Sequence, residues 1–146
     1  MSKVLVIEDH KDLYSMFDLI LQFHGFEVTV VDDGRKAMEI LKDGTPFDAI
    51  TLDLHLPGVP GTEIYDMLEK RGDAKHVLVV SAFIHDIKDF EIRGVNALQK
   101  PVLSMDLLVD RVREIAEQKV PALKYYTFAD NPKVARFAQV LARYFL

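Results

Sequence analysis

The chain contains no cysteine, and none of its apolar runs approaches the length of a membrane span. The lack of cysteine excludes disulfides, thiol catalysis and cysteine-ligated zinc sites, and it fits a reducing cytosol. The first residues, M-S-K-V-L-V-I-E-D, hold too short an apolar stretch for a signal peptide. We therefore expect a cytoplasmic protein without a membrane span.

Internal repeats and low-complexity tracts are also absent, and what remains is an ordinary globular composition. Of the 146 residues, 49% are hydrophobic and 28% are charged. This length allows one domain with a proper core and a small appendage. The net charge of −5 argues against a nucleic-acid surface spread over the whole domain.

Short apolar or β-branched runs alternate with helical spacing along the chain. The runs predict five strands, at residues 4–7, 27–31, 48–52, 77–80 and 95–98. Each is followed by a predicted helix, and Asp12, Thr62 and Ser104 are predicted to cap three of these helices. The last of them is predicted to bury Leu107, Leu108, Val112 and Ile115. The pattern predicts a doubly wound α/β fold with a parallel sheet and five flanking helices.

The predicted third strand leads into the most informative stretch, F-D-A-I-T-L-D-L-H-L-P-G-V-P-G at residues 47–61. Asp53 stands at the carboxyl end of the strand, and the prolines and glycines that follow force a loop. Open α/β sheets place their chemistry at such strand ends. On this stretch alone, a functional Asp53 and a solvated loop-edge aspartate are equally good interpretations.

Several polar residues fall at the same edge of the predicted sheet. Glu8 and Asp9 end strand one, Asp53 ends strand three, Ser81 ends strand four and Lys100 ends strand five. Three clustered carboxylates would repel one another, and Mg²⁺ relieves that repulsion where a phosphate shares the site. A lysine and a serine suit the phosphate oxygens. Each residue alone has a bland interpretation as a surface or turn residue, and only their joint placement argues for a site.

The ordered set of motifs resembles a response-regulator receiver domain of two-component signalling. The residues that carry the resemblance are Glu8-Asp9, Asp53 with Leu56-Pro57 and Gly61, Ser81-Ala82, and Lys100-Pro101. The resemblance covers residues 1 to about 119 and implies the flavodoxin-like strand order 2-1-3-4-5.

The resemblance implies a phosphoacceptor and a metal site. Asp53 would take a phosphoryl group from a histidine kinase, a phosphotransfer protein or a small phosphodonor. Mg²⁺ would be held by Asp9 and Asp53 directly, by Glu8 through water, and by the backbone carbonyl of His55.

The resemblance also implies roles around the phosphoryl group. Ser81 would swing toward it, Lys100 would pair with it, and the Lys100-Pro101 bond would be cis. His55 and Phe83 stand where the family tunes phosphoryl lifetime. We discount zinc binding by His55, because single histidines near a carboxylate site are usually not ligands.

Two features depart from the family pattern. The family has Tyr or Phe three residues before the lysine, where this chain has Ala97. The stretch between Ser81 and Lys100, which holds the fourth helix, is shorter than usual. Both features belong to the family's usual output surface. The residues for phosphorylation chemistry are present, while signalling through another face, or without phosphorylation, stays open as an alternative.

The C-terminal segment is predicted as a connector at residues 120–130 and an amphipathic helix at residues 131–146. The helix carries an apolar stripe of Val134, Phe137, Ala138, Leu141 and Phe145. Three interpretations stay open: packing on its own receiver, docking to a partner or a second copy with possible helix exchange, and membrane-surface binding.

The functional hypothesis is a stand-alone, Mg²⁺-dependent phosphorylation switch without external turnover. The chief alternative is an adaptor with a receiver fold that oligomerises through its C-terminal helix irrespective of phosphate. A small phosphatase using Asp53 as nucleophile is weaker, since no second acid is placed as a general acid. Direct DNA binding is least favoured, because the tail is too short for a helix-turn-helix or winged-helix module.

Overall fold

The computed structural model of the protein describes residues 1–118. The predicted connector and C-terminal helix lie outside the described residues. The strands are β1 (Lys3–Ile7), β2 (Glu27–Val31), β3 (Ala49–Asp53), β4 (Val77–Ser81) and β5 (Asn96–Gln99). The helices are α1 (Lys11–Phe23), α2 (Gly34–Lys42), α3 (Gly61–Lys70), α4 (Ile84–Ile92) and α5 (Met105–Glu117), with one 3₁₀ turn at Ala74–His76.

The five strands form one parallel sheet in the order β2-β1-β3-β4-β5. The register is fixed at the centre, where Val4 of β1 pairs with Val28 of β2 and with Ala49 of β3. The predicted doubly wound fold and its strand order 2-1-3-4-5 are confirmed. Because all strands run parallel, their carboxyl ends meet at one edge of the sheet.

Two hydrophobic layers cover the two faces of the sheet. On one face, α1 and α5 bury side chains such as Phe17, Leu21 and Val112. On the other face, α2, α3 and α4 contribute Leu41, Ile64 and Phe90 among others. Strands β3 and β4 are buried over their whole length, which explains why they read as continuous apolar runs.

The predicted helix caps were right in one case and wrong in two. The Ser104 side chain accepts a hydrogen bond from the Leu107 backbone N–H at 3.2 Å, as predicted. Thr62 is not a cap, because α3 begins at Gly61 and extended Pro60 precedes it. Asp12 lies inside the first turn of α1, where its charge suits the helix dipole.

The apolar face of α5 differs in one position from the prediction. The sequence pattern placed Leu107, Leu108, Val112 and Ile115 inward, but Leu107 is 41% exposed. Val109 is buried in its place. The helix is therefore rotated slightly relative to the predicted stripe.

The C-terminal end of α4 is held by Arg93. Its guanidinium lies over the rings of Tyr65 at 4.8 Å and Phe90 at 4.9 Å, within the range of a cation–π contact. It also donates to Glu69 Oε2 at 2.9 Å. Arg93 thereby ties α4 to α3.

The loop after β3 closes tightly against α3 at Gly61. A Cβ at this position would overlap the carbonyl oxygen of Asp53 and lie 2.6 Å from the Cα of Leu54. The Gly61 N–H also donates to the Leu54 carbonyl at 3.0 Å. Glycine is therefore the residue that lets α3 begin beside the strand end that carries Asp53.

Across residues 1–118, no helix combines the length and apolar character needed to cross a bilayer.

Candidate functional site

The carboxyl edge of the sheet brings together the acids expected there. Glu8 and Asp9 directly follow β1, and Asp53 is the last residue of β3. One carboxylate oxygen from each of the three lies within 4.8 Å of the others. Glu8 and Asp53 are buried, whereas Asp9 is exposed to solvent. The cluster therefore opens to solvent at Asp9.

Lys100 lies between two of these carboxylates. Its Nζ is 2.7 Å from Glu8 Oε2 and 3.1 Å from Asp53 Oδ2. The Lys100 backbone N–H donates to the Ser81 carbonyl at 2.8 Å, which fixes the chain where β5 ends. The Lys100-Pro101 bond is cis, as the resemblance implied. The ammonium thus supplies the positive charge that the buried acids require.

Burial and neighbouring charges shift two pKa values in the site. Burial raises the pKa of the Glu8 carboxyl, although its hydrogen bond with Lys100 acts in the opposite direction. Burial would lower the pKa of Lys100, but the hydrogen bond with Glu8 and the charge of Asp53 raise it. Lys100 is therefore held in its charged form.

The carboxylate of Asp53 is oriented by two donors. Its Oδ2 accepts from Lys100 Nζ, and its Oδ1 accepts from the His55 backbone N–H at 3.1 Å. The second bond spans two residues and is an Asx-type turn of the loop. The carboxylate is therefore positioned by one backbone N–H and one cation.

The hydroxyl of Ser81 is engaged away from Asp53. Ser81 Oγ donates to Asp86 Oδ2 at 2.9 Å and accepts from the Phe83 backbone N–H at 3.2 Å. Ser81 is completely buried. The sequence placed Ser81 at the correct edge but gave no role to Asp86, which lies in the first turn of α4.

The side chain of His55 lies against Asp86 and Phe83. Its Nε2 lies 3.0 Å from the same Asp86 oxygen, and its ring centroid lies 4.5 Å from that of Phe83. The order of contacts is Ser81, Asp86, His55. A nucleophilic triad needs the histidine between the serine and the acid, so these three side chains do not form one.

The donor set fits a hard divalent cation. Three carboxylate oxygens lie close together, and oxygen ligands of this kind are what Mg²⁺ prefers. Asp9 is the exposed member, so an ion could reach the cluster from solvent.

The comparisons with known proteins agree with this geometry. The family model described as the response regulator receiver domain matches residues 4–113. The chain belongs to the response-regulator receiver family. Receiver domains are signalling proteins rather than classical enzymes, and they bind Mg²⁺ at an acidic pocket, which in this receiver corresponds to the Glu8, Asp9 and Asp53 cluster.

Curated relatives include two-component regulators from bacteria. The receiver is 31% identical over 118 residues to the sensory transduction protein RegX3 of Mycolicibacterium smegmatis, covering 79% of this chain and 50% of that protein. It is 35% identical over 149 residues to the alkaline phosphatase synthesis transcriptional regulatory protein SphR of Synechococcus elongatus. This match covers 93% of this chain and 55% of that protein. The chain thus spans about half the length of the curated relatives it matches.

Solved receiver structures share the fold. The receiver domain of the Francisella response regulator 1452 aligns with a TM-score of 0.73 at 25% identity, covering 82% of this chain and 100% of that one. Response regulator TrrA of Thermotoga maritima, solved in complex with Mg²⁺-BeF, aligns with a TM-score of 0.69 at 22% identity. The alignment covers 79% of this chain and 99% of that one. These likenesses confirm the doubly wound fold.

Proposed function

We propose that this receiver accepts a phosphoryl group on Asp53 and acts as a phosphorylation-controlled interaction switch. The observation that carries the proposal is the position of Lys100 Nζ, 3.1 Å from Asp53 Oδ2, beside a cluster of three carboxylates. A carboxylate nucleophile, a cation and a metal-binding acid cluster are the parts that acyl-phosphate formation requires.

In the proposed reaction, a carboxylate oxygen of Asp53 attacks the phosphorus of a phosphodonor. The P–O bond to Asp53 forms as the bond from phosphorus to the leaving group breaks, and the leaving group keeps the electron pair. The ammonium of Lys100 then pairs with the phosphoryl oxygens, since the Asp53 charge that it neutralised has become part of an acyl phosphate.

The proposed metal ligands are Asp9 and Asp53 directly, Glu8 through water, and the backbone carbonyl of His55. A bound Mg²⁺ would neutralise charge on the phosphoryl oxygens and on the carboxylates. Asp9, Asp53 and Glu8 meet within 4.8 Å, which supports this assignment.

Water access to the acyl phosphate is proposed to be limited by His55 and Phe83. Their rings pack at 4.5 Å on the outer side of the site, and both side chains are more than half exposed. A partly open cover of this kind would slow hydrolysis without preventing entry of a phosphodonor.

The proposed phosphodonor is a histidine kinase or a phosphotransfer protein, with small phosphodonors as substitutes, in the cytoplasm. The relatives described as response regulators and transcriptional regulators support a kinase donor. We propose no direct nucleic-acid contact by this chain, whose net charge is −5.

A homodimer formed through the predicted C-terminal helix is proposed as one possible output. Its apolar stripe, which includes Phe137 and Leu141, needs a surface to cover it. Sedimentation of the full chain beside Phe137→Glu tests this proposal. Equal monomeric mass for both proteins would contradict it.

The second candidate function is an adaptor that acts through the same helix irrespective of phosphate. The observation that favours it is Ala97, a small residue of β5 where the family has an aromatic ring. The two functions differ in whether the oligomeric state responds to Asp53.

The experiment that separates them is intact-mass analysis after incubation with acetyl phosphate and Mg²⁺, with size-exclusion chromatography of the same samples. The matched variants are Asp53→Asn and Asp12→Asn, the second removing an exposed acid of α1 outside the cluster. A phosphoryl adduct on the wild type and on Asp12→Asn, but absent from Asp53→Asn and without metal, is expected. No adduct on the wild type, with no binding of beryllofluoride, would contradict the switch and leave the adaptor.

A further inference from the structure

The hydroxyl of Ser81 and the carboxylate of Asp86 form a hydrogen bond that the proposed function does not use. Ser81 lies at the end of β4, and Asp86 lies in the first turn of α4. Ser81 Oγ donates to Asp86 Oδ2 at 2.9 Å. The bond therefore joins the strand end that faces the phosphorylation site to the helix that follows it.

The hydroxyl of Ser81 has only one proton to donate. Its lone pairs already accept from the Phe83 N–H, so its proton is the part of the group that can change partner. A phosphoryl oxygen offers an acceptor but no donor. Ser81 can therefore donate either to Asp86 or to a phosphoryl group on Asp53, and not to both.

Because Ser81 is buried, the loss of one hydrogen-bond acceptor must be met by another acceptor within the protein. The residue has no exposed surface, so solvent does not readily replace a lost partner. Asp86 is partly exposed, and its Oδ2 also contacts His55 Nε2 at 3.0 Å. The same acceptor oxygen thus also contacts a residue of the β3–α3 loop.

We propose that Asp86 is a positioning residue that holds the Ser81 hydroxyl in its unphosphorylated orientation and competes with the phosphoryl group for the Ser81 proton. This inference rests on the proposed phosphorylation of Asp53. In this arrangement, the strength of the Ser81–Asp86 bond sets how readily the receiver enters its phosphorylated conformation. Loss of the bond on phosphorylation also removes one side-chain link between β4 and the first turn of α4.

The test is a double-mutant cycle on beryllofluoride binding, read by isothermal titration calorimetry in the presence of Mg²⁺. The proteins are the wild type, Asp86→Ala, Ser81→Ala and the double variant. In the Ser81 background, Asp86→Ala is expected to tighten binding by about tenfold, because a hydrogen bond to a charged acceptor no longer competes. In the Ser81→Ala background, the same substitution is expected to leave binding unchanged.

Two further variants exclude simpler explanations. Asp89→Ala removes an equally charged, exposed residue one turn further along α4 and is expected to leave binding unchanged. Asp86→Asn keeps an oxygen that can accept the Ser81 proton, so its effect is expected to be smaller than that of Asp86→Ala. Urea denaturation of each variant establishes that the compared proteins are folded.

The possible results separate the inference from the function on which it rests. Equal tightening by Asp86→Ala in both backgrounds would mean that Asp86 acts only through charge repulsion, and the inference would be wrong. No tightening in the Ser81 background, or equal tightening by Asp89→Ala, would also overturn it. Absence of beryllofluoride binding by the wild type would instead contradict the proposed phosphorylation function.

Discussion

The ammonium of Lys100 lies 2.7 Å from Glu8 Oε2, and that carboxylate belongs to a residue only 2% exposed. The same ammonium reaches Asp53. One cation therefore compensates two buried acids whose mutual repulsion would otherwise oppose folding. The stability of the fold and the chemistry of the site depend on the same side chain.

Replacement of Lys100 by Ala should therefore destabilise the fold. We expect a loss of about 3 kcal/mol in the free energy of unfolding, because two buried carboxylates are left without their cation. Urea denaturation in Mg²⁺-free buffer measures it, and added Mg²⁺ should restore part of the loss. Lys36→Ala is the control, since the Lys36–Asp32 pair is exposed and screened by solvent, so its loss should change stability far less. Equal losses for both variants would contradict the bridging role.

Removal of the exposed acid Asp9 should weaken metal binding more than stability. We expect Asp9→Asn to lower the affinity for Mg²⁺ by about tenfold or more, since a proposed direct ligand is lost. Its free energy of unfolding without metal should change by less than about 0.5 kcal/mol. Thermal unfolding across a Mg²⁺ titration reports both quantities. Unchanged affinity, or an equal loss in Asp12→Asn, would mean that Asp9 is not a ligand.

A methyl group at Gly61 should disturb the loop that carries Asp53. Its Cβ would overlap the Asp53 carbonyl oxygen, so Gly61→Ala is expected to cost about 2 kcal/mol and to slow formation of the Asp53 adduct. Gly44→Ala is the control, because Gly44 has open space around it, although its own positive φ of 78° is unfavourable for alanine. The control should lose stability without slowing the reaction. Wild-type kinetics in Gly61→Ala would refute the steric argument.

Stability should fall above pH 10 because of Tyr65. Burial, together with a hydrogen bond to Glu69, raises the pKa of Tyr65 from 10 to about 12. The folded state keeps this proton after the unfolded state has lost it, so the stabilisation is complete below pH 10 and is lost as the pH rises toward 12. Between pH 9 and pH 11, the wild type should lose about 1 kcal/mol more than Tyr65→Phe, as measured by urea denaturation. Parallel losses would show that Tyr65 titrates normally.

The sequence predicted the fold and the placement of the site residues because both depend on the alternation of strands and helices along the chain. Alternating strands and helices determine a parallel sheet, and a parallel sheet brings Glu8, Asp9, Asp53, Ser81 and Lys100 to one edge. None of these placements requires knowledge of a side-chain rotamer. The predicted strand ends were accordingly correct to within a residue.

The missed features depend on contacts between side chains or on local backbone geometry. Asp86 is indistinguishable in sequence from any acid in the first turn of a helix, and its bond to Ser81 depends on how residues 82–83 turn. Thr62 looked like a cap because its side chain suits that position, but Pro60 already supplies the extended residue before α3. The sequence placed Leu107 in the core instead of Val109, because the periodicity of a short helix does not fix its rotation about its axis to better than one position.

The two ends of α4 are fastened unequally. Its first turn is joined to β4 and the β3–α3 loop by the side-chain hydrogen bonds of Asp86 and packs on the core through Ile87. At its C-terminal end, Arg93 packs on the rings of Tyr65 and Phe90 and also pairs with Glu69. A packed group of rings and a cation is harder to separate than a single hydrogen bond whose donor can change its acceptor. We therefore expect a change of partner at the Ser81 hydroxyl to displace the first turn of α4 more than the end of the helix at Arg93.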